Sequence, residues 1–266
     1  MPHVTLIHGI SNKPPPEDLL RIWRETLANA AEPVPLGDLG VTSSLVYWAD
    51  LLYEKPDEDL SAYEGVLENT PQAVDGAGDA SAPQPRTPAE AEFLEMLRRH
   101  MTGLSDDQLD AEPPPVPIQR TIRQRFVDAV CAPICTRPHI VVSHSMGTVI
   151  AYDCLKRVPE CAGVDGLITL GSPLGLDEIQ DKLQPEWSRD AGFPGETVSG
   201  GWINIFDRLD PVCGFDPELA NDFRKNGAAT VEDIAVQNDG AWRHSITKYL
   251  RQPRVCRALR QMLQLG

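Results

Sequence analysis

The sequence predicts an α/β fold with a mostly parallel sheet of about six strands flanked by helices. Short β-branched and apolar runs alternate along the chain with longer segments whose apolar residues recur at helical spacing. That alternation is typical of a parallel sheet covered on both faces. A length of 266 residues suits one domain of this kind. We therefore expect a single α/β domain over residues 1–266.

Each element has its own local signal. The predicted strands are β-branched and apolar runs at 3–8, 41–48, 139–143, 164–170, 202–206 and 230–236. The predicted helices cover 17–31, 88–103, 118–131, 146–157, 245–250 and 253–263. In the first of these helices Leu20, Trp23 and Leu27 fall on one face, which predicts the side that packs on the sheet.

Two stretches interrupt the alternation. Residues 54–117 contain nine prolines and carry 15 acidic against four basic residues. The apolar face of the helix predicted inside this insertion would suit a lid over a pocket, and the alternative is a solvated acidic loop. A second irregular insertion covers 174–200. Its candidate substrate-pocket residues are Leu174, Leu176, Trp187 and Phe193.

The charge distribution bears on partners and location. The chain has a net charge of −15, and such an acidic body repels a phosphate backbone, so nucleic acid is excluded as a partner. Residues 243–266 hold six basic residues and no acidic one. The basic amphipathic last helix would suit an anionic membrane or an acidic protein partner, and the alternative is a packed helix with a solvated basic edge. With no long apolar run and a strand starting at His3, we expect no membrane span, no signal peptide and a cytoplasmic protein.

The six cysteines give little support for a metal. None forms a C-x2-C pair, and although Cys131 and Cys135 lie one helical turn apart, no paired histidine and cysteine cluster accompanies them. Free thiols in a reducing compartment are expected instead. The sequence predicts no cofactor.

The sharpest local signal is the segment from Val141 to Thr148, which fits small-x-Ser-x-Gly between a strand and a helix. That context is typical of a nucleophile elbow, in which a tight turn lifts the central serine out of the sheet. The neighbours two positions away must be small, and Ser143 and Gly147 meet that need. Ser145 is therefore the candidate nucleophile.

A nucleophilic serine needs a base, and the base needs an orienting acid. In this architecture both follow the serine, acid first. His244 is the single histidine after Ser145, so it is the candidate base. The acid should lie just after the strand at 202–206, where Asp210 is favoured because Asp-Pro places it at a fixed turn. Asp207 is the alternative.

The oxyanion of an acyl-transfer intermediate needs two donors. The backbone N–H of Met146, the residue after the nucleophile, is one candidate. The second should come from the loop after an early strand, which here reads His8-Gly9-Ile10. Because Gly9 lets the chain turn sharply, the N–H of Ile10 is the second candidate.

Together these pieces resemble an α/β-hydrolase of the lipase and esterase group. The matching segments are His8-Gly9-Ile10, the elbow from Ser143 to Gly147, Gly171-Ser172-Pro173, Asp210-Pro211-Val212 and His244. The runs Tyr47-Trp48-Ala49-Asp50 and Asn204 to Val212 resemble bacterial relatives of the inositol-deacylase lipases. Ser143 replaces the more usual first glycine of the elbow, and the sheet lacks the two antiparallel lead strands of larger members.

The resemblance implies a minimal six-stranded core, a Ser145–His244–Asp210 triad and an Ile10/Met146 oxyanion hole. It also implies a serine hydrolase that cleaves carboxylic esters, with lipid esters as the favoured substrate class. Two alternatives stay open. One is amide or thioester hydrolysis by the same triad, and the other is a signalling or defence effector whose hydrolase site is silent until a partner binds.

Overall fold

The computed structural model describes residues 1–59, 118–213, 215–240 and 243–266. The strands of these ranges are β1 His3–Ile7, β2 Thr42–Val46, β3 His139–His144, β4 Gly166–Leu170, β5 Trp202–Asp207 and β6 Val231–Val236. The helices are α1 Pro16–Ala28, α2 Ile118–Val130, α3 Met146–Arg157, α4 Asp177–Lys182, α5 Ile246–Leu250 and α6 Pro253–Met262, and a short 3-10 helix covers Ala49–Leu51.

The six strands form one sheet in the order β2-β1-β3-β4-β5-β6, and every neighbouring pair is parallel. The chain moves outward from β1 to β2 in one direction and from β3 to β6 in the other. The strand order therefore reverses between β1 and β3. In open parallel sheets the carboxyl ends of the strands at such a reversal form the crevice in which ligands bind.

Helices cover both faces of the sheet, as the alternating pattern predicts. On one face α1, α5 and α6 bury Trp23, Tyr249 and Leu259 against inward-facing strand residues such as Ile168. On the other face α2 and α3 bury apolar side chains against residues such as Val141. Because both faces are covered, β1, β3, β4 and β5 are buried along their whole length.

Several predicted boundaries shift for local reasons. The strand predicted at 41–48 ends at Val46, because the N–H of Trp48 donates to His8 Nε2 instead of continuing the ladder. The strand predicted from 164 begins at Gly166, and Val164 makes only an isolated bridge to Val198. The helix α4 lies inside the insertion 174–200, and its six residues are too few for a periodic signal. The predicted lid and the helix at 88–103 lie outside the described residues.

The basic C-terminal helix packs through its apolar face. Val255 and Leu259 of α6 are buried in the core, Arg257 pairs with Glu32, and Arg260 donates to the carbonyl of Pro33. The apolar face of α6 therefore packs against the core. A role for its arginines in binding a membrane or a partner stays a prediction. Across the described ranges, no helix combines the length and apolar character needed to cross a membrane.

Candidate active site

Four loops bring the sequence-predicted catalytic residues to the carboxyl edge of the sheet. The His8-Gly9-Ile10 loop follows β1, and Ser145 follows the neighbouring strand β3. Asp210 follows β5, and His244 lies between β6 and α5. The first two loops therefore flank the point where the strand order reverses, which is the position of the ligand crevice in folds of this class.

Ser145 stands at a sharp turn between β3 and α3. Its φ of 55° and ψ of −132° are values that a residue with a side chain rarely adopts, so the turn is strained. Two glycines let the neighbouring chain approach it. A Cβ on Gly147 would lie 2.6 Å from the His8 carbonyl oxygen, and a Cβ on Gly9 would lie 2.6 Å from Ser145 Cβ. The turn has the geometry expected of a nucleophile elbow, at the middle of a six-stranded parallel sheet.

The chain has the α/β-hydrolase fold. In such an elbow the serine hydroxyl stands at the N-terminus of the following helix, where the helix dipole favours negative charge. Ser145 Oγ is buried and, among the described residues, has no hydrogen-bond partner. The backbone of Ser145 is held firmly, since its N–H donates to the Leu170 carbonyl and its carbonyl accepts from the Thr148 hydroxyl.

The candidate base and acid form a buried pair. His244 Nδ1 donates to the Asp210 carboxylate, at 2.8 Å from Oδ2 and 3.0 Å from Oδ1. The carboxylate also accepts from the Tyr249 hydroxyl at 2.7 Å and from the Val212 N–H at 2.8 Å. Burial opposes ionisation of Asp210, but the attraction to His244 and these hydrogen bonds hold the pKa of Asp210 below its ordinary value. The carboxylate therefore orients the His244 ring with Nε2 turned away from the acid.

The alternative acid, Asp207, has a different position. Its carboxylate accepts from the N–H of Asn238, the N–H of Leu209 and the guanidinium of Arg243. Asn238 in turn donates through its side chain to the Arg243 carbonyl. Asp207 thus holds the segment that precedes His244, while Asp210 contacts the imidazole itself.

Two contacts connect His244 with the turn that carries Ser145. His144, the residue before Ser145, donates from Nε2 to the His244 carbonyl at 2.9 Å, and the centroids of the two rings lie 4.6 Å apart. Gly171 lies beside the same pair: its φ is +54°, and a Cβ there would stand 2.8 Å from Asp210 Oδ2 and 3.2 Å from His244 Cε1. The His244–Asp210 pair therefore lies beside the ends of β3 and β4, next to the residue that precedes Ser145.

The loop after β1 is fixed by a histidine in a single protonation state. His8 Nε2 accepts from the Trp48 N–H at 2.9 Å, so the ring proton is on Nδ1, which donates to the Gly9 carbonyl at 2.7 Å. Burial, with the nearby charge of Lys13, lowers the pKa of His8 to about 3, so the ring is neutral at pH 7. The Gly9 carbonyl and the Ile10 N–H belong to one peptide unit, and His8 therefore sets the plane of that amide.

Both predicted oxyanion donors lie on segments next to Ser145. Gly9 lies against Ser145, and the amide of Ile10 is the next one along the chain. Met146 begins α3, and the first N–H groups of a helix have no partner within the helix. Among the described residues, no hydrogen bond uses either N–H. Their role as an oxyanion hole stays a prediction.

The four candidate pocket residues do not gather at the nucleophile. Leu174 is close to it, since its N–H donates to Ser172 Oγ, which is hydrogen-bonded to Thr148 in the first turn of α3. Leu176 and Trp187 pack on the core half-buried, the latter beside Phe223. Phe193 lies at the far end of α3, where Lys156 donates to its carbonyl. Lys156 follows Ser145 by eleven residues, or about 16 Å of helix.

Two residues beside the site carried no sequence signal. The Tyr249 hydroxyl bridges the loop after β5, donating to Asp210 and accepting from the Asp207 N–H at 3.0 Å. Burial raises the pKa of Tyr249 well above its ordinary value, so the phenol keeps its proton. Lys13 is the second residue, and its side chain is buried in the loop that carries Ile10. A tyrosine in an apolar helix and a lysine in a polar loop are common patterns, and neither indicates a site.

Within the described ranges, one group of residues has the donor types of a metal site. Ligand atoms of His3, Cys135 and His139 all lie within 4.8 Å of one another. They stand at the amino ends of β1 and β3, the opposite edge of the sheet from Ser145. Hydroxyl groups of Thr42, Ser44 and Thr5 already hydrogen-bond the two rings. The group is therefore a hydrogen-bonded polar cluster at the base of the sheet.

No protein-family model and no curated protein matches the chain. Among solved structures, it is similar to a putative hydrolase of the α/β superfamily from Xanthomonas campestris pv. campestris, with 16% identity, 98% of both chains covered and a TM-score of 0.45. It is also similar to a structure reported for two metagenome-derived lipolytic enzymes, LipS and LipT, with 13% identity over 99% of this chain and 94% of that one and a TM-score of 0.40. A third is the siderophore hydrolase EstB from Aspergillus nidulans, with 11% identity over 98% and 81% and a TM-score of 0.37. The strand order and the strained turn at Ser145 of this chain themselves define its fold.

Proposed function

We propose that the protein is a serine hydrolase of the lipase and esterase type, which cleaves carboxylic esters through an acyl-enzyme on Ser145. One observation carries the proposal. A buried serine hydroxyl stands at a strained strand-to-helix turn, and the residue before it, His144, hydrogen-bonds a second buried histidine, His244, that an equally buried carboxylate orients. Strain of this kind persists only where the surrounding structure holds it, and it is concentrated at active sites.

In the first half of the reaction, His244 Nε2 takes the hydroxyl proton as Ser145 Oγ bonds to the ester carbonyl carbon. The carbonyl oxygen becomes an oxyanion, which the N–H groups of Ile10 and Met146 stabilise. The C–O bond to the alcohol then breaks, and His244 gives its proton to the departing oxygen. Asp210 holds the imidazole in the required tautomer and stabilises the imidazolium.

In the second half, water attacks the acyl carbon while His244 takes a proton from it. The Ser145 Oγ–acyl bond breaks, the acid leaves, and the serine regains its proton.

The test is turnover of a panel of p-nitrophenyl esters of increasing acyl length, with thioester and anilide analogues. Ser145→Ala should lower kcat by about 10⁴-fold or more on every substrate that the protein cleaves. Ser199→Ala, a serine on an exposed loop far from the elbow, is the matched control and should leave kcat unchanged. Equal activity of the two variants would overturn the proposal. A preference for thioesters or anilides would keep the triad and correct the substrate class.

A further inference from the structure

The loop after β1 folds around the ammonium group of its own Lys13. Lys13 Nζ donates to the Ile10 carbonyl at 2.7 Å and to Ser11 Oγ at 2.6 Å, and it lies 3.1 Å and 3.2 Å from the carbonyls of Ser11 and Asn12. The lysine is only 8% exposed. Ser11 has a φ of +81°, a left-handed value that few residues other than glycine adopt. We call these four oxygen atoms around the ammonium the cage.

The cage holds Ile10, whose backbone N–H is the oxyanion donor predicted from this loop. Ile10 lies between two peptide units whose carbonyl oxygens are both anchored. The Gly9 carbonyl accepts from His8 Nδ1, and the Ile10 carbonyl accepts from Lys13 Nζ. The Ile10 side chain is buried in the core, at 4% exposure. With both flanking peptide planes and the side chain held, the Ile10 N–H has one direction.

We propose that protonated Lys13 is a positioning residue for the oxyanion-stabilising amide of Ile10. The proposal rests on the proposed hydrolase function, and it adds a regulatory element to it. A protonated lysine offers three N–H donors to the four oxygens. A neutral amine offers two and turns a lone pair toward the remaining oxygens, which repel it. Loss of the proton therefore loosens the loop and with it the amide of Ile10.

The surroundings of Lys13 bring the loss of its proton close to neutral pH. Burial lowers the pKa of Lys13 to about 7, against the opposing attraction of Asp57, which lies beyond the 3-10 helix. His8 after β1 and His144 at the end of β3 also face the ammonium, and both are neutral because burial lowers the pKa of each. The Tyr47 hydroxyl donates to the Lys13 carbonyl and contributes no charge as long as it keeps its proton.

The Lys13 ammonium is present below pH 7 and is lost as the pH rises, so kcat should fall on the alkaline side of the pH profile. Lys13→Met keeps the apolar stem and removes the donors at all pH values. It should lower kcat about 10- to 100-fold with a smaller change in KM, and it should abolish the alkaline fall. Lys55→Met, the same change at a nearby exposed lysine, should match wild type.

A second readout does not require turnover. In ¹H–¹⁵N spectra, the Ile10 amide resonance should shift with a midpoint near pH 7 in wild type and in Ser145→Ala, and it should stay fixed in Lys13→Met. If the Ile10 amide resonance shifts with pH in this way while no substrate is cleaved, the positioning role of Lys13 stands and the hydrolase function fails. If wild type cleaves esters, and Lys13→Met keeps both the alkaline fall in kcat and the pH-dependent shift of the Ile10 resonance, the positioning role is wrong and the hydrolase function stands.

Discussion

Acid should unfold this protein through three buried neutral histidines. Burial lowers the pKa of His8 to about 3 and, with the neighbouring His3, that of His139 to about 4. Burial and the neighbouring His244 hold the pKa of His144 well below its ordinary value. The three side chains are 0%, 3% and 7% exposed, and each makes hydrogen bonds as a neutral ring. The folded protein therefore excludes protons that the unfolded chain accepts.

The magnitude follows from proton linkage. An unfolded histidine titrates near pH 6.5, so below that pH the unfolded state binds one more proton for each of these residues, and stability falls with falling pH. At pH 5 an unfolded histidine is about 1.5 pH units below its pKa, whereas His8 and His139 stay neutral in the folded protein. The loss of stability is therefore about 2 kcal/mol for each of these two residues, about 4 kcal/mol together, and His144 adds to it in the same direction. Asp210 contributes little to this change, because an unfolded aspartate is still ionised at pH 5.

Urea denaturation followed by tryptophan fluorescence, near pH 7.5 and near pH 5, measures this difference. His139→Gln is the informative variant. Whatever it costs near pH 7.5, it should reduce the acid-induced loss by about 2 kcal/mol, since one titrating ring is gone. A total loss below about 2 kcal/mol in the wild type would show that these rings accept protons in the folded state, and the reasoning would be refuted.

Four substitutions test the site itself. Tyr249→Phe removes a hydrogen-bond donor to the Asp210 carboxylate. It should lower kcat by about 10-fold and the free energy of unfolding by about 2 to 4 kcal/mol. A variant with wild-type kinetics would show that the Tyr249 hydroxyl does not support Asp210 in the reaction. Gly9→Ala places a Cβ 2.6 Å from Ser145 Cβ and should lower kcat/KM at least about 100-fold in ester assays, and an active variant would contradict that close approach. Asp210→Asn should lower kcat by about 10⁴-fold, while Asp207→Asn should chiefly lower thermal stability; the reverse order would make Asp207 the triad acid.

Much of the fold could be predicted because its signals are local. The elbow at Ser145 depends on a strand, a tight turn and a helix that are contiguous in the chain, and α3 begins and ends where the sequence predicts, at Met146–Arg157. The alternation of strands and helices similarly predicted the covered parallel sheet. Over the described residues, all six strands of that sheet are parallel.

The rest depends on contacts between residues far apart in the chain. His144 hydrogen-bonds His244, which lies 100 positions away in the chain, and Tyr249 hydrogen-bonds Asp210, which lies 39 positions away. No periodicity or motif encodes such a pair. The separation of Phe193 from Leu174 could not be predicted for the same reason, since an irregular segment gives no indication of the end of α3 at which its side chains lie. Lys13 was missed because a lysine in a polar loop usually faces solvent.

The most direct test of the account is active-site labelling with a fluorophosphonate, which reacts with a serine that a working base and oxyanion hole have activated. Labelled wild-type protein is digested and mapped by mass spectrometry, with Ser145→Ala carried through the same steps and circular dichroism to confirm that both are folded. We predict one adduct, on Ser145, and none in the variant. A folded wild-type protein that takes up no probe, or takes it up at another residue, would contradict the assignment of Ser145 as the nucleophile.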